Sequence, residues 1–359
     1  MSSALGSRHL MRTLLNVFVS IEMTGASVQF EAKFNYRFGM YRVMAALRDL
    51  HVHRRALRAL CDEALANIES SEQPLLLRFA NLLMNDAVYL LDQILEHMQH
   101  LRQTELQPPT GAQEVADARF YAHISRMYNQ LGNETTRALE NVSAADAAAR
   151  LFVDPVLLER VAAMLNYFLD HLVGPKKRRE LVVHDRDKYE FKPEQLVQSI
   201  CQLYVNLAAA SPSPSPGLST AESADEGGPG AQEQEAAAVA APAGAVDDRF
   251  CLAILREDRS YSKDLLLEAF HVLQRVRASS CLLNDFGMLA ERMRALEESG
   301  AAASASSDLT PDADTPDEFV DPIMGKLLVV TSCTVRVVCT TQLHVYINIA
   351  NIWRITDER

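Results

Sequence analysis

The sequence predicts an all-α protein, an irregular α-solenoid-like array of helices followed by a short β-rich tail. Three observations point there. Apolar residues recur at steps of three, four and seven through most of the first 300 residues, the spacing of one helix face. Large apolar residues thin out in only two tracts, near 208–246 and 300–316. Period-two alternation of Val, Ile and Thr is concentrated after residue 328. No repeat of fixed period marks a regular solenoid.

At the N-terminus, Arg8, His9 and Arg12 flank Leu14, Leu15, Val17, Phe18 and Val19, with no acid before Glu22. A transit peptide, a weak signal peptide and a scaffold helix can all carry that pattern. The short apolar run and the lack of a clear small-residue cleavage site favour the helix. A stripe at Tyr36, Met40, Val43, Met44, Leu47 and Leu50 predicts a helix over 36–50. The clearest helix is 74–101. Pro74 suits a first turn, where its missing N–H costs nothing, and Phe79, Leu83, Leu90, Leu91, Ile94, Met98 and Leu101 form its stripe. Further helices are predicted over 115–131 and over 156–173, the latter opened by an Asp154-Pro155 cap and closed by Gly174-Pro175. Lys192-Pro193-Glu194 opens another, with Leu196, Val197, Ile200, Leu203, Tyr204 and Leu207 on its apolar face.

The tract SPSPSPG and the Ala/Glu/Gly/Pro run after it cannot offset their ordering entropy. The predicted organisation is a helical core over 1–208, a disordered insertion over 209–247, and the core resumed over 248–299. Helices at 262–277 and 280–297 fill that last part. A flexible linker follows at 300–316, its coil spanning roughly 20–25 Å root-mean-square, and 317–359 forms a separate module.

The chain has 359 residues, 48% apolar and 23% charged, with a net charge of −12 and a pI near 5.3. That acidity argues against a general nucleic-acid binder. No apolar run reaches the roughly 18 residues of a membrane helix, so neither nucleic acid nor membrane is an expected partner. The six cysteines form no C-x-x-C pair, which excludes zinc ribbons and RING-type zinc modules. Asn133-Glu-Thr and Asn141-Val-Ser match the glycosylation pattern but have no secretory signal to act with. There is no G-x-G-x-x-G, Walker loop or G-x-S-x-G. His97 and His100, at i and i+3, share a helix face that could hold a metal, but no third ligand has suitable spacing. Lys176-Lys-Arg-Arg179 suits a solvated loop beside a helix C-terminus, a nuclear-import signal or an acidic contact.

The specific signals are blocks of sequence. KYEFKPEQLVQSICQLYVNL (188–207), RSYSKDLLLEAF (259–270) and DEFVDPIMGKLL (317–328) together resemble the ubiquitin conjugation factors, U-box ligases that elongate ubiquitin chains. Weaker similarity runs through EMTGASVQFEAKFNYRFGMY (22–41), RFANLLMNDAVYLLDQ (78–93) and LLERVAAMLNYFLDHLVGPK (157–176). The blocks fall in family order and cover about 22–208 and 248–328. The insertion is not part of the family pattern, and the family core extends further upstream, so the chain resembles a truncated representative.

The resemblance implies a metal-free, RING-like module that forms no covalent intermediate and needs no cofactor or catalytic residue. It would hold a ubiquitin-charged conjugating enzyme so that the thioester meets a lysine amine, a positioning effect. Ile323 matches the exposed hydrophobe that inserts into the conjugating enzyme, Asp321 and Pro322 shape its loop, and Phe319 and Leu327 match the packing around it. Implied partners are a ubiquitin-conjugating enzyme, ubiquitin and ubiquitinated substrates, and an AAA-type ubiquitin-selective segregase, in proteasomal degradation in cytoplasm and nucleus. After Leu328 the pattern stops. VVTSCTVRVVCTTQ replaces the expected Asp-Pro, the helix-leading Val-Asp-Arg and the second loop with its arginine; Arg336 and Arg354 sit in no matching motif. The module thus reads as a truncated U-box with a divergent, aggregation-prone tail, its ligase activity impaired. The alternative is a non-catalytic helical scaffold for ubiquitin-pathway partners.

Overall fold

A computed structural model describes residues 2–23, 32–48, 50–108, 110–144, 146–210 and 248–301, and the backbone of 334–338 and 344–348. Over the continuous described segments the chain is an all-α helical array. Its elements are α1 (Ser2–Met23), α2 (Ala32–Arg48), α3 (His51–Ala66), α4 (Leu75–Leu106), α5 (Ala112–Ser143), α6 (Asp146–Phe152) and α7 (Pro155–Val173). After them come α8 (Lys177–Glu180), a 3-10 turn at Asp187–Tyr189, α9 (Pro193–Ala209), α10 (Arg249–Arg256), α11 (Leu265–Arg275) and α12 (Ser280–Glu298). Strands Thr334–Val338 and His344–Asn348 pair antiparallel; otherwise the tail predicted for 317–359 lies outside the described residues, as do the insertion from 211 to 247 and most of the linker.

The spine is the pair α4 and α5, 32 residues each and so about 48 Å long. Gly132 lies at their approach: a Cβ there would lie 2.4 Å from the terminal methyl of Ile94, so any larger residue requires that side chain to shift. The predicted stripe of α4 is buried in full. On one side α1, α2 and α3 pack around this spine; on the other α9 packs on α5 and carries α12, with α7, α10 and α11 around it. One continuous apolar core runs from Met11 to Met293. α1 belongs to it, with Leu15 and Phe18 fully buried, each burial worth about 1.5–3 kcal/mol.

Several helix ends follow from capping chemistry. Asp154 caps α7 by accepting from the Val156 amide at 3.0 Å, and Pro155 occupies the first turn. Ser279 does the same for α12 through the Leu282 amide at 3.2 Å. The Glu114 carboxylate reaches back to the Gly111 amide at 3.2 Å, opening α5.

Three expectations need correction. Pro74 is the cap residue of α4, extended at ψ 145°, rather than a member of its first turn. The helix predicted from 262 begins at Leu265, because Ser262–Asp264 form the turn into it. In α2 the stripe is rotated: Tyr36 and Val43 are 62% and 45% exposed, while Lys33, Phe34, Arg37, Met40, Tyr41 and Met44 are buried, and Leu50 lies beyond the helix, which ends at Arg48. The buried face keeps the predicted Met40 and Met44 and adds two cations.

Candidate functional site

Phe319, Asp321, Pro322, Ile323 and Leu327 all lie outside the described residues. The described residues provide the scaffold that precedes them. α12 stops at Ser299, and Gly300, at φ 71°, takes the left-handed turn that ends it.

The sequence blocks that carry the resemblance meet in space at two buried polar nodes. At the first, Arg37 of α2 is fully buried, ion-paired and hydrogen-bonded to Asp86 of α4, with Lys33 Nζ 3.3 Å from the same carboxylate. The Arg37 guanidinium lies 4.2 Å from the Phe18 ring centre, and its second nitrogen donates to the Phe18 carbonyl at 3.4 Å. Burial, with Asp86 close by, pushes the Tyr41 hydroxyl far above its ordinary range. The node therefore joins α1, α2 and α4 through charges shielded from water.

The second node joins α7, α9 and the chain after α10. Asn166 is fully buried. Its amide nitrogen donates to the Ile254 carbonyl and the Glu257 carboxylate, both at 3.0 Å. Its oxygen accepts from the Tyr204 hydroxyl at 2.7 Å. Glu257 also accepts from the backbone amides of Arg259, Ser260 and Tyr261 at 3.0–3.2 Å, which shapes the start of the RSYS block. Burial raises the Tyr204 hydroxyl well above its usual range, so it acts as a donor. A third contact, Asn129 to the Tyr189 carbonyl at 2.8 Å, fastens the KYEF turn to α5.

Reactive chemistry is sparse among the described residues. His97 is buried with its ring 5.7 Å from Tyr121 and 5.1 Å from Tyr128, and burial lowers its pKa. His100 packs on Tyr121 at 3.8 Å. The i, i+3 histidines thus belong to the α4–α5 aromatic packing, and no group of three metal-binding side chains occurs among the described residues. Burial raises the Cys61 thiol to about 11 and the Cys201 thiol further. Cys281 is exposed, yet Asp285 at 3.2 Å raises it too, which disfavours the nucleophilic thiolate. At the α4–α7 seam, Tyr167 donates to Asp92 and its carbonyl binds His171 Nδ1 at 2.9 Å. Burial there raises Asp92 and Tyr167 and lowers His171, in each case acting against the charged form.

In the basic cluster, Lys177 bridges Asp170 at 2.5 Å and Glu180 accepts from Gln99 at 2.9 Å, holding the turn after α7 against α4. No described helix is long and apolar enough to cross a membrane. Sequence reasoning missed Arg37, Asp86, Asn166 and Glu257. Their signal is a polar letter at a core position of a helical period, legible only once the face is known.

Comparison with known proteins agrees with this distribution. Residues 1–294, spanning α1 to most of α12, match the family described as ubiquitin elongating factor core. Ubiquitin conjugation factor E4 A of Bos taurus is 33% identical over 330 residues, 89% of this chain and 27% of that protein. The probable ubiquitin conjugation factor E4 of Arabidopsis thaliana is 31% identical over 338 residues, 90% and 28% respectively. The E4 ubiquitin-protein ligase UFD2 of Saccharomyces cerevisiae is 27% identical over 347 residues, 90% and 30%. The chain thus spans less than a third of the length of these relatives.

Proposed function

The chain belongs to the ubiquitin elongating factor core family, and on that premise we propose that it is the scaffold of a U-box ubiquitin ligase that elongates ubiquitin chains. The observation that carries the reading is the family match over residues 1–294, which includes both nodes. In this reading 1–208 and 248–299 form the core, 209–247 is an insertion, and 300–316 tethers the terminal module. Ile323, presented by Asp321 and Pro322 and backed by Phe319 and Leu327, contacts the conjugating enzyme. Ubiquitinated substrates and an AAA-type segregase are the other partners, in proteasomal degradation in cytoplasm and nucleus.

Catalysis in this scheme is positional: the module restrains the charged conjugating enzyme, and the attacking lysine comes from substrate or from ubiquitin. The raised thiols of Cys61, Cys201 and Cys281 fit a mechanism without a covalent enzyme intermediate. The divergence after Leu328 removes the second loop and its arginine, so this chain discharges the conjugating enzyme weakly or not at all and serves chiefly as a binding scaffold.

A discharge assay tests both parts. The chain is mixed with a ubiquitin-charged conjugating enzyme and thioester loss is followed. The expected outcome is a rate close to the uncatalysed one, with any residual acceleration removed by Ile323→Ala. Acceleration comparable to an intact U-box protein would overturn the impairment, and activity that survives Ile323→Ala would remove Ile323 from the site.

A further inference from the structure

Lysine is scarce in this chain and unevenly placed. Of its 35 basic residues 28 are arginine and seven lysine, and the first 175 residues hold fifteen arginines but one lysine, Lys33. Either cation can pair with a surface acid. Only lysine can shed a proton and attack a carbonyl carbon, because the guanidinium stays charged. Lys33 is not placed to do so: its side chain is 10% exposed and its ammonium lies 3.3 Å from the buried Asp86 carboxylate. Lys326 lies outside the described residues. The other five amines are Lys176, Lys177, Lys188, Lys192 and Lys263.

Four of these five share one loop. Residues 174–192 cross α4 and α5, fastened by Gln99 to Glu180 at 2.9 Å, by Arg102 to the Val182 carbonyl at 3.1 Å and by Arg126 to the Lys188 carbonyl at 2.9 Å. Within it Lys177 is engaged by Asp170 at 2.5 Å and Lys192 by Glu190 at 2.8 Å. Lys263 stands apart. It precedes α11, its side chain is 80% exposed, and its ammonium is 3.4 Å from Glu297 in the last turn of α12. Glu297 is three residues before the Gly300 turn that ends α12, so Lys263 marks the root of the chain that follows.

We infer that Lys263 is an acceptor site for ubiquitin delivered in cis by a charged conjugating enzyme bound to this chain. The inference rests on the terminal-module reading above and adds a third source of the attacking lysine, the scaffold itself. In that reading 300–316 tethers the module that holds the enzyme. A tether of that length keeps its cargo at a local concentration of roughly millimolar order around its root. The amine at that root is therefore presented to the thioester repeatedly. The Lys263 amine, one proton lost to water, attacks the thioester carbonyl carbon. The C–N isopeptide bond forms, the C–S bond breaks, and the enzyme's thiolate leaves with the electron pair. A second proton passes from the nitrogen to solvent, and nothing is oxidised or reduced. Over α1–α7 arginine keeps the surface charge while offering the thioester no nucleophile, so position selects the acceptor. A single slow transfer per chain accords with weak discharge of the enzyme.

The full chain is incubated with a ubiquitin-charged conjugating enzyme carrying a fluorophore, and binding is read by anisotropy. Trypsin digestion and mass spectrometry then locate the Gly-Gly remnant that ubiquitin leaves on each modified lysine. Binding is expected, with occupancy at Lys263 about fivefold or more above that at any other lysine. K263R keeps a cation beside Glu297 and should remove the main adduct while leaving binding unchanged. Changing Lys176, Lys177, Lys188 and Lys192 together to arginine should leave that adduct in place. Absence of binding would overturn the reading of the terminal module, and this inference with it. With binding intact, three results would overturn the inference alone: no adduct on any lysine, occupancy at another lysine equal to or above that at Lys263, or total adduct in K263R within about twofold of the unsubstituted chain.

Discussion

The two sides of the array are fastened by different chemistry. Around α1–α4 the buried polar node is ionic: Arg37, Asp86 and Lys33, sealed under Phe18. Around α7–α10 it is built from a neutral amide, a phenol and one carboxylate whose oxygens are occupied by backbone amides. The difference lies in what a single loss leaves behind. Removing one member of a buried ion pair strands a charge in low dielectric. Removing one member of an amide network strands dipoles, which cost less.

The largest expected effect follows from the ionic node. Asp86→Ala leaves Arg37 buried without its carboxylate and should cost about 3–5 kcal/mol. Hydrogen exchange at α2 and α4 amides in the variant would localise the loss. The triple replacement Lys33→Met, Arg37→Met and Asp86→Leu, which strands no charge, should recover most of it, since buried ion pairs often exchange for apolar packing without net cost. A loss below about 1 kcal/mol for Asp86→Ala would contradict the ionic half of the comparison.

Next is the amide node. Asn166→Ala leaves the Tyr204 hydroxyl and the Ile254 carbonyl short of partners and should cost about 1–3 kcal/mol, with exchange protection lost in α7, α9 and α10. Asn166→Ala proving as costly as Asp86→Ala would erase the distinction between the two sides. At the edge of the same region, Asp154→Ala removes the side-chain cap of α7. It should lower stability by about 1 kcal/mol, readable as a small fall in the urea midpoint with unchanged slope.

On both sides the apolar core positions were legible in the sequence and the polar ones were not. Every core position predicted in α4 and α9 is buried, because each of those positions is apolar. α2 was misread because its inward face includes Lys33 and Arg37, and a charge at a helical core position is indistinguishable from a solvated one until its partner is known. Asp86 was hidden in the same way between Leu83 and Leu90. Glu257 escaped because its role, accepting three backbone amides after α10, depends on loop geometry that no period encodes. The blocks that resembled a family contained Arg37, Asp86 and Asn166 unnoticed. Resemblance had marked the nodes that periodicity could not.

The smallest expected effect is a pH response, and it sharpens the comparison because His97 is buried on one side and His171 half-buried on the other. His97 sits in the aromatic packing of α4 and α5, and His171 in α7 bonds the Tyr167 carbonyl. Burial is the main cause lowering both pKa values. The unfolded chain therefore binds these protons first, near pH 6.5, and the folded chain only at lower pH. The stability each neutral ring contributes is complete above about 6.5 and is lost as pH falls from there through the folded value. Thermal unfolding between pH 7.5 and about 5.5 should show that decline, and His97→Phe should reduce its slope while keeping the aromatic contact with Tyr128. His171 is additionally held by its hydrogen bond to the Tyr167 carbonyl, which favours the proton and opposes the burial, so His171→Phe should flatten the profile less. A larger change from His171→Phe would place the stronger desolvation on the α7 side instead.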